Sequence, residues 1–235
     1  KFVDELSIYG SVYELRRKKK SNWISFFQVY IKIISIIIRG QFNILHAHSP
    51  TLTMVLKPLC SIMRLKLILT VHDVKFPNIK NAEKYFSYAD KVLCVSKAAI
   101  DYVKKHLDGE DKTVLIENSI DFSNFNDKVH KESDLKILTV CRLVYHKKGL
   151  HKLLELAEAL PNHDFYLVGD GEDREFLLDK IKSKNISNLK LFGEFSPSDM
   201  PKIYSKYDIL LMTSEYESFG LVILEAIASE LLVVI

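Results

Sequence analysis

The densest chemical pattern in the chain is Glu215-Tyr-Glu-Ser-Phe-Gly-Leu-Val-Ile-Leu-Glu-Ala-Ile-Ala228. It follows a β-rich run at Asp208–Met212, crosses a polar loop and takes up helical spacing near Gly220. Glycine lets backbone approach a ligand, and the first amides of a helix point outward with the positive dipole end behind them. That combination suits a diphosphate. Glu217 stays in the loop, whereas Glu225 falls about one turn inside the helix. Carboxylates on either side of such a site can accept hydrogen bonds from sugar hydroxyls. The plain alternative is a pair of solvated charges on an ordinary helix start.

A second strand–loop–helix pattern is Leu138-Thr-Val-Cys-Arg-Leu-Val-Tyr-His-Lys-Lys-Gly-Leu150. Arg142 stands just past the strand's carboxyl end, where open α/β sheets bind ligands. Lys147 or Lys148 precedes Gly149 at the next helix start. An Arg and a Lys here could neutralise a departing diphosphate without a metal ion. Val168-Gly-Asp-Gly-Glu172 is a glycine turn after another strand, and it lacks the third glycine of a dinucleotide fingerprint. Gly169 is therefore expected in a tight turn at the nucleotide-facing edge. In the first half, His46 and His48 close one strand and His72-Asp73 closes the next. None has the helical spacing or cysteine partners of a zinc site, so no metal is expected. For His72, contact with a substrate hydroxyl competes with a structural role.

These residues need strands ending at one edge. Short apolar runs at Asn43–Ala47, Lys66–Val71, Lys91–Val95, Thr113–Ile116, Lys136–Val140, Phe165–Val168, Leu189–Phe192 and Asp208–Met212 predict strands. Segments with helical spacing separate most of them, for example Leu150, Leu153, Leu154, Ala157 and Leu160. Apolar strands alternating with helices mean parallel sheets with right-handed crossovers, an α/β class. The polar, aperiodic stretch Asp121–Asp134 reads as a linker, after which the pattern restarts. Two Rossmann-like units are expected, over 1–125 and 135–235.

The 235 residues are 48% hydrophobic and 27% charged, enough to bury a core without disulfides. A net charge of +3 gives no reason to expect nucleic acid. Cys60, Cys94 and Cys141 are odd in number and sit in apolar runs, which suggests free thiols in a reducing compartment. No signal-peptide pattern is present, so the expected location is cytoplasmic. The basic run Arg16–Lys20 precedes an apolar stretch, Trp23–Ile38, too short to span a bilayer and interrupted by Lys32. It reads as a buried helix with a charged entrance. The other reading is an interfacial helix on anionic lipid at the inner face of the cell membrane. A start at Lys1 and a stop inside an apolar run are what a piece of a longer protein would show.

In order, the pieces Ile44-Leu-His-Ala-His48, Thr70-Val-His-Asp73, Ala89–Ser96, Ile116–Asp121, Val140-Cys-Arg-Leu143, Lys148-Gly149, Val168–Gly171 and Glu217–Glu225 resemble glycosyltransferase family 4. The Glu-x7-Glu motif in its Glu-x-Phe-Gly-Leu setting is the most specific of them. The resemblance implies a GT-B fold, two Rossmann-like domains facing across a cleft, with the first strand and the final units missing. It implies retaining transfer of a sugar from a UDP- or GDP-sugar to a glycan or lipid-linked sugar, with no cofactor or essential metal, in bacterial surface polysaccharide synthesis. By motif match, Glu225 would bind the donor ribose, and Glu217 the transferred sugar. The backbone of Phe219, Gly220, Leu221 and Val222 would assist, Arg142 and Lys148 would stabilise the leaving diphosphate, and His72 would lie beside donor sugar and acceptor. Cys141 and Ser119 replace glycines usual in the family. The Arg142–Gly149 spacing is one residue long, so Lys147 competes with Lys148. An epimerase of the same fold and a non-catalytic nucleotide-sugar-binding remnant are the competing readings.

Overall fold

The computed structural model describes residues 23–73, 82–107, 112–125, 135–215, 217 and 219–235. Helix α1 (Trp23–Gly40) leads into a four-stranded sheet of β1 (Ile44–Ala47), β2 (Lys66–Val71), β3 (Lys91–Cys94) and β4 (Thr113–Leu115). The strands lie in that spatial order and every pair is parallel. Helix α2 (Pro50–Met63) connects β1 to β2, a 3-10 helix (Ala82–Tyr88) precedes β3, and α3 (Lys97–Lys104) follows it. Proline at the start of α2 suits a position whose N–H has no helical partner. Ser96 caps α3 by accepting the Ala99 N–H at 3.2 Å.

The second sheet holds β5 (Lys136–Val140), β6 (Asp164–Val168), β7 (Leu189–Gly193), β8 (Ile209–Leu211) and β9 (Leu232–Val234). Helices α4 (Leu150–Ala159), α5 (Arg174–Ser183), α6 (Met200–Tyr204) and α7 (Leu221–Ala228) join them. Its spatial order is β7-β6-β5-β8-β9, all parallel, which is the Rossmann order. The chain reverses direction of travel between β5 and β8, so a crevice opens at their carboxyl ends.

Both faces of this sheet are covered, as parallel strands require. Ile137 joins Leu143, Leu150, Leu153, Leu154, Leu167 and Leu177 on one face. Its neighbour Leu138 joins Tyr204, Leu210, Ala226 and Leu231 on the other. Each fully buried leucine contributes roughly 1.5–3 kcal/mol. The first sheet buries Leu67, Leu69, Val71, Phe86, Val92 and Val103. One device starts a strand in each half. Asp90 accepts the Leu67 N–H at 2.8 Å and returns its own N–H to Leu67 O at 2.7 Å. Asp208 makes the same exchange with Lys136, at 2.9 and 3.1 Å.

The eight expected strands are present, two with the expected ends and six with one or both ends shifted by one residue, and β9 is an addition. It forms where the sequence shows only an apolar run after α7. The expected linker opens with Asp121 and a 3-10 turn, Phe122–Phe125, and its positions 126–134 lie outside the described residues, as does Arg16–Lys20. The expectation of a buried helix at Trp23–Ile38 is not met. Ile37 is buried, but Phe27, Ile31 and Ile38 are 64%, 50% and 61% exposed. Among the described residues no helix is long and apolar enough to cross a membrane.

Candidate active site

Glycines bring the loops above the second sheet together. Gly149 adopts a left-handed conformation, φ 59°, and a Cβ there would fall 1.8 Å from Thr213 O. The loops after β5 and β8 are laced at this point: Thr213 Oγ1 donates to Lys148 O at 3.0 Å and Glu215 N to Lys147 O at 3.2 Å. A Cβ on Gly169 would fall 1.9 Å from Cys141 O. There the loops after β5 and β6 run together, with Cys141 N donating to Val168 O at 3.1 Å and Leu143 N to Asp170 O at 3.0 Å. Gly169 thus serves close backbone approach as well as the turn expected of it.

Above these loops lie two adjoining chambers. The larger, about 720 Å³, is lined by Arg142, Gly169, Glu194, Phe195, Val222 and Glu225, among others. The smaller, about 330 Å³, is lined by Arg142, Lys147, Lys148, Glu217, the Phe219–Val222 turn, and by His72, Asp73 and Asn118 of the first half. Arg142 and Val222 line both, so they form the junction. The candidate catalytic and donor-binding residues all border this composite cleft, whereas His46 and His48 line neither chamber. Glu217 and Glu225 do not share a chamber, because the first turn of α7 separates them. Gly220 starts that helix at φ 75°.

The two candidate lysines divide. Lys148 Nζ bonds Glu217 Oε1, which also accepts from Ser214 Oγ at 3.0 Å. Lys147 Nζ instead reaches across the cleft to Asp73 Oδ2, 3.1 Å away. Cationic Arg142 and the outward amides at the start of α7 make the junction attractive to an anion. Cys141 also lines both chambers. Burial, with Glu217 adding and Lys148 opposing, pushes its thiol up to about 12.

Glu225 of the larger chamber accepts the Tyr204 hydroxyl at Oε2, 2.7 Å away. Burial raises the Glu225 pKa and this bond opposes the rise. In the first half, His46 Nε2 meets Thr70 Oγ1 at 2.7 Å, and His48 Nδ1 meets His72 Nε2 at 2.9 Å. Burial and then the neighbouring His48 lower the His72 pKa, which keeps its imidazole neutral near pH 7. Among the described residues no group of three His, Cys, Asp or Glu is arranged to hold a metal ion.

Sequence reasoning missed Tyr204, Asp73, Ser214 and the role of Thr213. Asp73 carried a signal, since it follows His72 at a strand's carboxyl end. Tyr204 carried none, because it reads as one apolar residue of α6.

Two parallel sheets opening onto a shared cleft, the second in Rossmann order, define the GT-B class of fold. Family models agree: "Glycosyltransferase Family 4" matches residues 5–124 and "Glycosyl transferases group 1" matches residues 121–235. The chain belongs to glycosyltransferase family 4. It is 27% identical over 170 residues to an uncharacterized glycosyltransferase of Methanocaldococcus jannaschii, covering 68% of this chain and 46% of that one. It is 23% identical over 215 residues to the Escherichia coli O-antigen biosynthesis glycosyltransferase WclY, covering 79% of this chain and 58% of that one. Among solved structures, Anabaena HepE in complex with UDP and glucose superposes with a TM-score of 0.79 at 19% identity, over 99% of this chain and 69% of that one. The chain spans about half the length of the curated relatives it matches.

Proposed function

We propose that the protein is a retaining glycosyltransferase that moves a sugar from a nucleoside diphosphate donor to a glycan or lipid-linked acceptor in surface polysaccharide synthesis. The observation that carries this reading is the junction where Arg142, Lys148 and the start of α7 line one wall of a cleft between two sheets. A cation and outward amides together favour a diphosphate. WclY, named for O-antigen biosynthesis, supports the pathway class, and HepE, solved with UDP and glucose, supports the donor class.

On this reading the amides of Leu221 and Val222 and the Arg142 guanidinium hold the diphosphate. Lys148, positioned by Glu217, adds positive charge as the bond from anomeric carbon to phosphate oxygen breaks. Glu217 accepts a hydroxyl of the transferred sugar, and Glu225 accepts the ribose hydroxyls in the larger chamber. The acceptor oxygen approaches from the side of the departing phosphate, bonds to the anomeric carbon on that face, and passes its proton to a phosphate oxygen. Neutral His72 stands on the first-half wall, where it can hydrogen-bond an acceptor or sugar hydroxyl. No step in this scheme calls for a metal ion or a cofactor.

The test is transfer from UDP- and GDP-sugars by the wild type, Glu217→Ala and Arg142→Ala. Losses of on the order of a hundredfold or more in both variants are expected. Near-wild-type rates in both would sink the assignment. The exposed Phe27, Ile31 and Ile38 of α1, following the basic run, also fit contact with an anionic membrane surface at the cytoplasmic face. Co-flotation with anionic vesicles at low salt is the expected result, and its failure would remove that part of the proposal.

A further inference from the structure

Tyr204 lies wholly inside the second-sheet core, among Leu138, Val168, Leu210, Ala226 and Leu231. The ring of Phe125 stands 6.3 Å away. A phenylalanine would satisfy that apolar setting, whereas a phenol buried there costs free energy unless its hydroxyl is bonded. The partner is the cleft carboxylate of Glu225, whose Oε2 accepts at 2.7 Å. Glu225 stands between two spaces: the larger chamber, where the donor ribose is placed, and a third chamber of about 490 Å³ lined by Asp121, Phe125, Ser198 and Lys202. Unanchored, its flexible side chain could turn toward Lys202 and away from the donor side.

We infer that Tyr204 is a positioning residue for donor binding: its buried hydroxyl fixes Glu225 Oε2, so that the carboxylate meets the vicinal diol of the donor ribose. This rests on the reading of Glu225 as the ribose acceptor. The bond does two things. It selects one rotamer of Glu225, and it favours the ionised form, which accepts hydrogen bonds from a diol where a neutral acid would have to donate. Burial raises the Glu225 pKa and the Tyr204 hydroxyl opposes that rise. Without the hydroxyl the carboxyl takes up its proton at higher pH. The other charged groups facing these chambers are Arg142, Asp170 and Glu194 on the donor side and Asp121 and Lys202 on the other. All of them remain when Tyr204 becomes Phe.

The experiment is titration of the intact protein with UDP between pH 5 and 8, for the wild type, Tyr204→Phe, Glu225→Gln and the double variant. Tyr204→Phe is expected to weaken UDP binding about tenfold, the loss of one hydrogen bond to a charged group. Its acid limb should move to higher pH, and KM for the donor should rise more than kcat falls. In the Glu225→Gln background the same substitution should add no pH shift, because the titrating group is gone. If Glu225→Gln weakens binding while Tyr204→Phe leaves affinity and acid limb unchanged, the positioning role is wrong and the ribose reading survives. If Glu225→Gln itself binds UDP as well as the wild type does, the ribose reading fails and takes the inference with it. A uniform loss of thermal stability in Tyr204→Phe without a displaced acid limb also counts against the inference, since purely structural packing would do that.

Discussion

Gly149→Ala should damage stability and activity together, and the structure gives the scale. A side chain in the left-handed conformation at φ 59° costs about 1–2 kcal/mol. The new methyl would also sit 1.8 Å from Thr213 O and 2.7 Å from Thr213 C, both backbone atoms. Relieving that overlap means moving the Thr213 carbonyl by about 1 Å or more, an overpacking cost of roughly 1–3 kcal/mol. The expected total is about 3 kcal/mol. Thr213 and Lys148 are tied by a 3.0 Å hydrogen bond, so the displacement pulls the loop carrying Glu217 away from Lys148. A shift of about 1 Å at reacting groups costs on the order of a hundredfold in rate. Urea unfolding and initial transfer rates at saturating donor measure the two effects. Gly193→Ala is the control: φ there is 77°, but a Cβ would meet nothing within 4 Å, so only the conformational cost applies. If Gly149→Ala unfolds within about 0.5 kcal/mol of wild type and transfers sugar normally, the loops are not held as described.

Asp208→Ala leaves the Lys136 N–H without its carboxylate and should destabilise by roughly 1–3 kcal/mol by urea unfolding, with Asp208→Asn recovering part; no change would discard the strand-start device. Burial raises the Cys94 thiol to about 11 and the Cys141 thiol to about 12, so native protein at pH 7.5 should resist iodoacetamide at both sites by peptide mass analysis. Fast labelling of Cys141 would mean its loop opens. Burial lowers the His46 and His72 pKa values below that of an unfolded histidine. The unfolded chain then binds more protons, and stability should fall as pH drops below about 6.5. A His46→Gln/His72→Gln variant should have a flatter profile over that range, and an unchanged slope would contradict the assignment.

Parallel pairing was legible because runs such as Lys66–Val71 are apolar on both faces, which only a sheet covered on both sides accepts. Strand β9 was not, since Leu231–Ile235 could equally continue a buried segment until β8 supplies a pairing edge. The cleft residues were legible in kind, because Arg142 and the Gly220 turn stand at strand–helix junctions. Their distribution was not. Nothing in the spacing says that Lys147 reaches Asp73 across the cleft while Lys148 turns to Glu217, because adjacent residues diverge according to the φ/ψ of their loop. The Tyr204–Glu225 bond joins residues 21 positions apart through α6 and α7, and one chain's pattern carries no trace of it. The position of α1 stayed open between a buried and an interfacial helix for a related reason: apolar content marks a face to be covered but does not supply the cover.

Isothermal titration of UDP, GDP and their sugars into the wild-type protein and Arg142→Ala bears most directly on what the cleft is for. One nucleoside diphosphate should bind at a single site in the wild type, and at least about tenfold more weakly once the guanidinium is gone. Absence of heat with every nucleotide, or equal affinity in the two proteins, would mean that the chamber above β5 and β8 holds something else.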